Sequence, residues 1–112
     1  MLYNFPNHIK GDTYDGTSFT ITVNTIPLDL TGASIKMSLK SNKSTSKSDL
    51  DLTTANNRIK IVTAASGIFQ VPSQVIDLPA GLYYYDIQIT LANKSVKTYI
   101  EGQWKILQDI TG

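Results

Sequence analysis

Apolar residues recur in this chain at every second position, and that spacing decides what it can fold into. In Thr17 to Asn24, the residues Phe19, Ile21 and Val23 alternate with Thr20, Thr22 and Asn24. Ser34 to Lys40 repeats the pattern, with Ile35, Met37 and Leu39 on one side and Lys36, Ser38 and Lys40 on the other. Successive side chains of a strand point to opposite faces, so each run offers one face to a core and one to water. A helix would need apolar residues three and four positions apart, and no segment carries a convincing pattern of that kind.

The same rhythm continues. Ile59 and Ile61 alternate with Lys60 in Arg58 to Val62, after a turn marked by Asn56 and Asn57. Gly67 opens a short strand through Val71, which Pro72 ends or confines to an edge because it has no N–H to donate. Gln74 to Leu78 leads through Pro79-Ala80-Gly81 into Leu82 to Leu91, the longest strand expected. Its core face is Tyr83, Tyr85, Ile87 and Ile89, opposite Leu82, Tyr84, Asp86, Gln88 and Thr90. Asn93-Lys94 is a hairpin turn into Val96 to Glu101, and Gly102 is expected as a bulge before Trp104, Ile106 and the closing Asp109-Ile110-Thr111. Pro27, Asp29 and Thr31-Gly32 supply turn chemistry between the first two strands. Seven or eight short strands of this kind make an antiparallel sandwich or a small barrel, with the sandwich favoured. Leu78-Pro-Ala-Gly-Leu-Tyr83 reads as a tyrosine corner, in which a hydroxyl bonds back to nearby backbone where a strand begins.

With 112 residues the chain fits one domain, residues 1–112, since a second would have no core of its own. A hydrophobic share of 41% against 17% charged excludes the composition of intrinsic disorder. The net charge of +1 gives no broad reason to expect nucleic acid as a partner. There is no Cys, which removes disulfides, thiolate metal sites and Cys nucleophiles together. Met1 to Lys10 lacks the pattern of a signal peptide and no apolar run approaches the length of a membrane helix, so the expectation is a soluble protein made in the cytoplasm.

Two segments fall outside the alternation. Met1 to Lys10 reads as a short N-terminal arm. Ser41 to Asp49, with Lys43, Lys47 and four serines, has too little apolar content to pack and reads as a flexible loop or an arm that orders against a neighbour.

Residues that carry chemistry are few. His8 is the sole histidine, with no Ser in a nucleophile elbow to serve, and is expected to pack. Asp12 and Asp15 lack the ligand spacing of a calcium loop and suit an Asx-type turn. Asp49 and Asp51 share one face of a strand and read as solvated charges, while Asp86, inside the longest strand, is expected to bond backbone or a Lys across an interface. Catalytic, cofactor and metal assignments are therefore none. Tyr83, Tyr84, Tyr85, Tyr99 and Trp104 supply core or subunit interface, with a stacking platform for sugar or single-stranded nucleic acid as the competing reading. Lys36, Lys40, Lys43 and Lys47 form a solvated stripe. Asn42-Lys43-Ser44 and Asn93-Lys94-Ser95 match the glycosylation pattern by coincidence.

Gly11-Asp12-Thr13, Asp29-Leu30-Thr31-Gly32, Gly67-Ile68-Phe69, Leu78 to Ile87 and Asp109-Ile110-Thr111 follow one another in an order that resembles a family of small tailed-phage and prophage structural proteins. That family includes the immunoglobulin-like N-terminal domain of phage baseplate upper proteins, and the likeness spans nearly the whole chain. It implies an immunoglobulin-like β-sandwich in a virion, with no cofactor and no catalytic residue. In the longer baseplate proteins the domain attaches a receptor-binding arm to the tail. Here the chain stops where that arm would begin, which favours an accessory or decoration subunit. The expected partners are other virion proteins and copies of the chain itself, meeting through Tyr3, Phe5, Lys43, Lys47, Tyr84, Tyr99 and Trp104. An adhesion module holding host-surface glycan on exposed aromatic rings is the alternative.

Overall fold

Alternation becomes strand pairing along most of its length. The computed structural model describes residues 2–44 and 47–108 and is all-β, with a single 3-10 turn at Ala64–Ser66 and no α-helix among the described residues. The expected closing strand Asp109-Ile110-Thr111 lies outside them, as do Thr45, Ser46 and Met1 of the two irregular segments. Among the described residues no helix is long and apolar enough to cross a membrane.

The strands in chain order are β1 (His8–Ile9), β2 (Thr13–Tyr14), β3 (Thr17–Thr20), β4 (Thr22–Val23), β5 (Ile26–Pro27), β6 (Ser34–Lys40), β7 (Leu50–Thr53), β8 (Lys60–Thr63), β9 (Ile68–Val71), β10 (Gln74–Val75), β11 (Gly81–Thr90) and β12 (Val96–Leu107). Five of them form a curled sheet in the order β1-β12-β11-β6-β7, mixed because β1 runs parallel to β12 while the other pairs are antiparallel. A second, three-stranded sheet has the order β3-β9-β8, and β2 with β10 and β4 with β5 form two short ribbons.

Register explains why the alternation matters. Tyr85, Ile87 and Ile89 of β11 lie opposite Leu39, Met37 and Ile35 of β6, so the apolar faces of the two strands coincide. All six are buried, in one cluster with Phe19, Phe69 and Val71 from the smaller sheet. The expected core faces of β6 and β11 are thus observed. Tyr83 Oη donates to the Pro79 carbonyl at 2.7 Å, the predicted tyrosine corner at the entrance to β11. Asp29 Oδ1 accepts from the Thr31 N–H and hydroxyl, closing the predicted turn after β5.

Three expectations change. The run Thr17 to Asn24 is not one strand, because the chain breaks at Ile21. Its N–H donates to the Gly67 carbonyl and its own carbonyl accepts from Leu28. Gly67 has φ +70, and a Cβ there would stand 2.6 Å from the Ile21 oxygen, so only glycine lets these segments meet. Beyond the break, β4 and β5 form a hairpin whose tip residues Asn24 and Thr25 both have positive φ, and Val23 becomes exposed instead of core. Gly102 is no bulge: β12 runs through it, and the register shift falls at Tyr99, since Ile87 faces Ile100 while Gln88 faces Thr98. The short N-terminal arm gains strand pairing that the sequence did not indicate. Leu2 bridges Glu101, the Tyr3 and Phe5 N–H groups donate to the Glu101 and Gln103 carbonyls, and β1 continues the same parallel ladder.

Candidate functional site

The seven residues expected at a partner interface separate into an inside group and an outside group. Tyr3 and Phe5 are two apart on an extended segment, so both rings enter the core side. Phe5 stacks on Trp104 at 4.4 Å and 17°, and meets Tyr85 and Phe19 edge-on. Tyr3 packs edge-on against Phe5 and Phe19. Phe5 is 4% exposed and Trp104 0% exposed, so with the chain's own N-terminal segment seated neither ring lies at the surface, in contrast to the expectation for both. Their apolar area is satisfied within the chain. Tyr99, the extra residue of the bulge, is half-buried and packs against the same core.

Closure of this region is polar as well as aromatic. Tyr85 Oη donates to the Tyr3 carbonyl, and the Gln103 N–H donates to Asn4 Oδ1 at 3.0 Å. Gly102 makes the approach sterically possible, since a Cβ on it would lie 1.9 Å from the Tyr3 oxygen. Burial pushes the Tyr85 hydroxyl well above its ordinary value, with Tyr3 and Tyr14 adding to the rise. Tyr14 is pushed up by burial too, partly offset by its hydrogen bond with Thr17.

Tyr84 and Lys43 belong to the outside group. Residues paired in register share a face, so the water side of the five-stranded sheet carries three rows across its strands. Asp51, Ser38, Asp86 and Glu101 form the middle row, flanked by Lys40, Tyr84 and Gln103 on one side and by Thr53, Lys36, Gln88 and Thr98 on the other. A shallow trough of about 380 Å³ runs over this face, bordered by Lys36, Lys40, Lys43, Tyr84, Asp86 and Glu101. A second depression of about 250 Å³ continues it past Tyr84 toward Leu2 and Asn4. Lys43 holds its ammonium 4.8 Å from the centre of the Tyr84 ring, and Lys47 is exposed.

Charges on this face are arranged unevenly. Asp86 stands directly opposite Ser38 on one side and Glu101 on the other. Two carboxylates so placed repel each other, and the lysines of the flanking rows offset part of that cost. For Asp51, burial favours the protonated form, but hydrogen bonds from Ser48 and Ser38 and the charges of Lys36 and Lys40 outweigh it and hold the carboxyl below its ordinary value.

The residues weighed for catalysis are occupied by local structure. His8 is buried against Tyr14 and Trp104, and its Nε2 lies 2.9 Å from the Asp12 carbonyl, which makes that nitrogen the donor. Asp12 N–H in turn closes a turn onto the Ile9 carbonyl. Asp49 Oδ2 accepts from the Ser41 N–H at 2.7 Å, and Asp51 Oδ1 from the Ser48 hydroxyl at 2.7 Å, so both carboxylates tie down the ends of the loop. Among the described residues no group of three or more His, Asp or Glu side chains is placed to hold a metal ion.

Sequence reasoning missed two features of the site. The three-row face needs the strand register, which depends on long-range pairing. The aromatic seat of the N-terminal segment had a local signal, since Tyr3, Phe5 and the nearby His8 are rings in an otherwise irregular stretch. The chain matches no protein-family model and no curated protein.

Proposed function

We propose that the chain is a non-enzymatic structural subunit of a tailed-phage virion, an accessory component of the tail or baseplate, or of the neck or capsid surface. It works by assembling with other virion proteins and with copies of itself. The observation that carries the reading is the ordered series of turn and strand-entry motifs from Gly11 to Ile87, read together with the strand order they produce.

That order supports an immunoglobulin-like sandwich as the finer description. β12-β11-β6-β7 corresponds to strands G-F-C-C′ and β3-β9-β8 to B-E-D, with the tyrosine corner at the start of the strand equivalent to F. The parallel β1 lies at the G edge. Trp104 lies on the G equivalent instead of on C, where antibody domains place their core tryptophan. A module of this kind serves as a rigid body whose faces and edges are contacted by neighbours. The local hydrogen-bonding roles of His8, Asp49 and Asp51 speak for a scaffold over an enzyme.

The test is quantitative mass spectrometry of gradient-purified particles from a host that produces this chain. A fixed ratio of the chain to the major capsid protein is expected. Presence in the infected lysate with absence from purified particles would reject the reading. Light scattering of the purified protein then gives the oligomer and its symmetry.

The glycan-binding alternative keeps one supporting observation, the half-buried Tyr84 in a trough lined by carboxylates and amides. It loses the paired rings it needs, since Trp104 is internal and Tyr99 leans on the core. A glycan array probed with wild type and Tyr84→Ala decides it: binding that requires Tyr84 would restore this reading.

A further inference from the structure

We infer that residues 2–9 are an exchangeable strand: the groove they fill along β12 also accepts the same segment from a second copy of the chain, so that neighbouring copies are tied together by their arms. The inference rests on the structural-subunit reading for its setting and names the partner as the chain itself.

The groove is shaped for this segment and for little else. Its floor is Gly102, whose missing side chain admits the Tyr3 carbonyl, and its wall is Trp104, on which Phe5 stacks. Tyr85 Oη caps the Tyr3 carbonyl and Asn4 takes the Gln103 N–H. The parallel ladder from Leu2 to Lys10 completes the fit. These contacts join the arm to residues about a hundred positions away along the chain, such as Asn4 to Gln103, so they are indifferent to which copy supplies the arm.

The connection to the body is a hinge. Gly11 has φ +86, and a Cβ added to it would meet nothing within 4 Å, so the turn is open to solvent on that side. Two hydrogen bonds close it, Asp12 N–H to the Ile9 carbonyl and His8 Nε2 to the Asp12 carbonyl, and the second can be made equally by the His8 of a neighbouring copy. From Thr13 onward the chain is fixed by the pairing of β2 with β10. Among the described residues no strand lies beyond β1 in the five-stranded sheet, so the arm can leave without breaking a second ladder there. Seated along β12, residues 2–9 leave only Lys10 to Asp12 as the connector to Thr13, which is fixed by β10. Three extended residues span about 10 Å, so exchange joins copies whose β12 edges abut.

Because own-chain and exchanged seating use the same contacts, the balance depends on hinge strain and on the local concentration of neighbours. Dilute protein keeps its own arm. In an ordered assembly, where copies are held side by side, the exchanged form gains the advantage and each subunit still receives one arm.

Trapping by disulfide tests this, since the chain has no cysteine of its own. Two full-length variants are mixed at equal concentration in a glutathione redox buffer, one Leu2→Cys and the other Glu101→Cys. These residues are exposed and paired across the ladder, so a mixed disulfide above the level of random collision joins two chains when the arm of one lies in the groove of the other. A Lys60→Cys and Lys97→Cys mixture, at exposed sites on different sheets, measures random collision. The heterodimer yield is expected to exceed that control at least tenfold at high protein concentration. Gly11→Val should raise it several-fold more, because valine strains the closed hinge at positive φ. A yield equal to the control, with and without Gly11→Val, would overturn arm exchange. Particle stoichiometry reads the virion assignment separately: incorporation without trapping rejects exchange alone, and trapping without incorporation rejects the virion reading alone.

Discussion

Residues 2–10 and residues 41–49 look alike as sequence, two short segments without a full strand pattern, yet they end up in opposite environments. The first is drawn into the core through Phe5 and Tyr3 and joins the sheet. The described residues of the second, 41–44 and 47–49, stay at the surface, held at the base by the Ser41 N–H to Asp49 bond and the Asp49 N–H to Leu39 carbonyl bond, with Lys43 resting over Tyr84. Ordering each backbone residue costs about 1–2 kcal/mol. An arm that buries an aromatic ring and extends a ladder recovers that cost, whereas serines and lysines do not. Two rings at alternate positions separate the two outcomes, and length or polarity alone does not.

The comparison can be broken most directly at Phe5. Phe5→Ala should cost about 3 kcal/mol, read by chemical denaturation, and should release the Tyr3 and Lys10 amides to rapid hydrogen exchange. Unchanged protection would mean the ladder alone holds the arm. Gly102→Ala comes next, at about 2 kcal/mol, because its methyl collides with the Tyr3 carbonyl. The loss should localise to residues 2–5 by hydrogen exchange, and a loss spread over β11 would contradict the notch.

Tyr85→Phe removes the hydroxyl that caps the arm and should cost about 1 kcal/mol. It carries a pH signature. The hydroxyl stays neutral in the folded chain after an unfolded tyrosine has begun to ionise, so stability falls as pH rises above about 10. The variant should show a shallower alkaline decline, and an identical decline would remove Tyr85 from the cause.

Effects in the loop should be smaller. Asp51→Asn is expected to cost about 0.5 kcal/mol or less at neutral pH, since the carboxylate is largely exposed to screening. Its lowered folded pKa makes that contribution present above about pH 4 and lost as pH falls further, so wild type and variant should converge in acid denaturation. Lys43→Ala should change stability by about 0.3 kcal/mol, and a loss above 1 kcal/mol would make the loop as structural as the arm.

Much of the fold was legible because two-residue alternation is a local property. The inward faces of β6 and β11, the corner at Tyr83 and the turn at Asp29 to Thr31 all follow from neighbouring residues. What was not legible depends on meetings across the chain. Thr17 to Asn24 alternates to its end, and only the Gly67 carbonyl explains why the strand stops at Ile21. Alternation already turned Tyr84 away from the core, whereas the burial of Trp104 depends on its pairing with Tyr83 and on the arrival of Phe5 from the other end of the chain. The apparent bulge at Gly102 is a site of close approach to a segment it is paired with only in space. For the candidate site, residue types were foreseen better than their grouping.

The edge of β7 carries a consequence for life at high concentration. Asn56 accepts the Thr53 N–H and donates to the Asp51 carbonyl through the same side-chain amide, while the Thr53 carbonyl takes the N–H groups of Arg58 and Ile59. A strand end that would otherwise template another chain is occupied by its own turn. The backbone groups of β7 at Asp51 and Thr53 are thereby withheld from another strand, which limits sideways growth of the large sheet at this end.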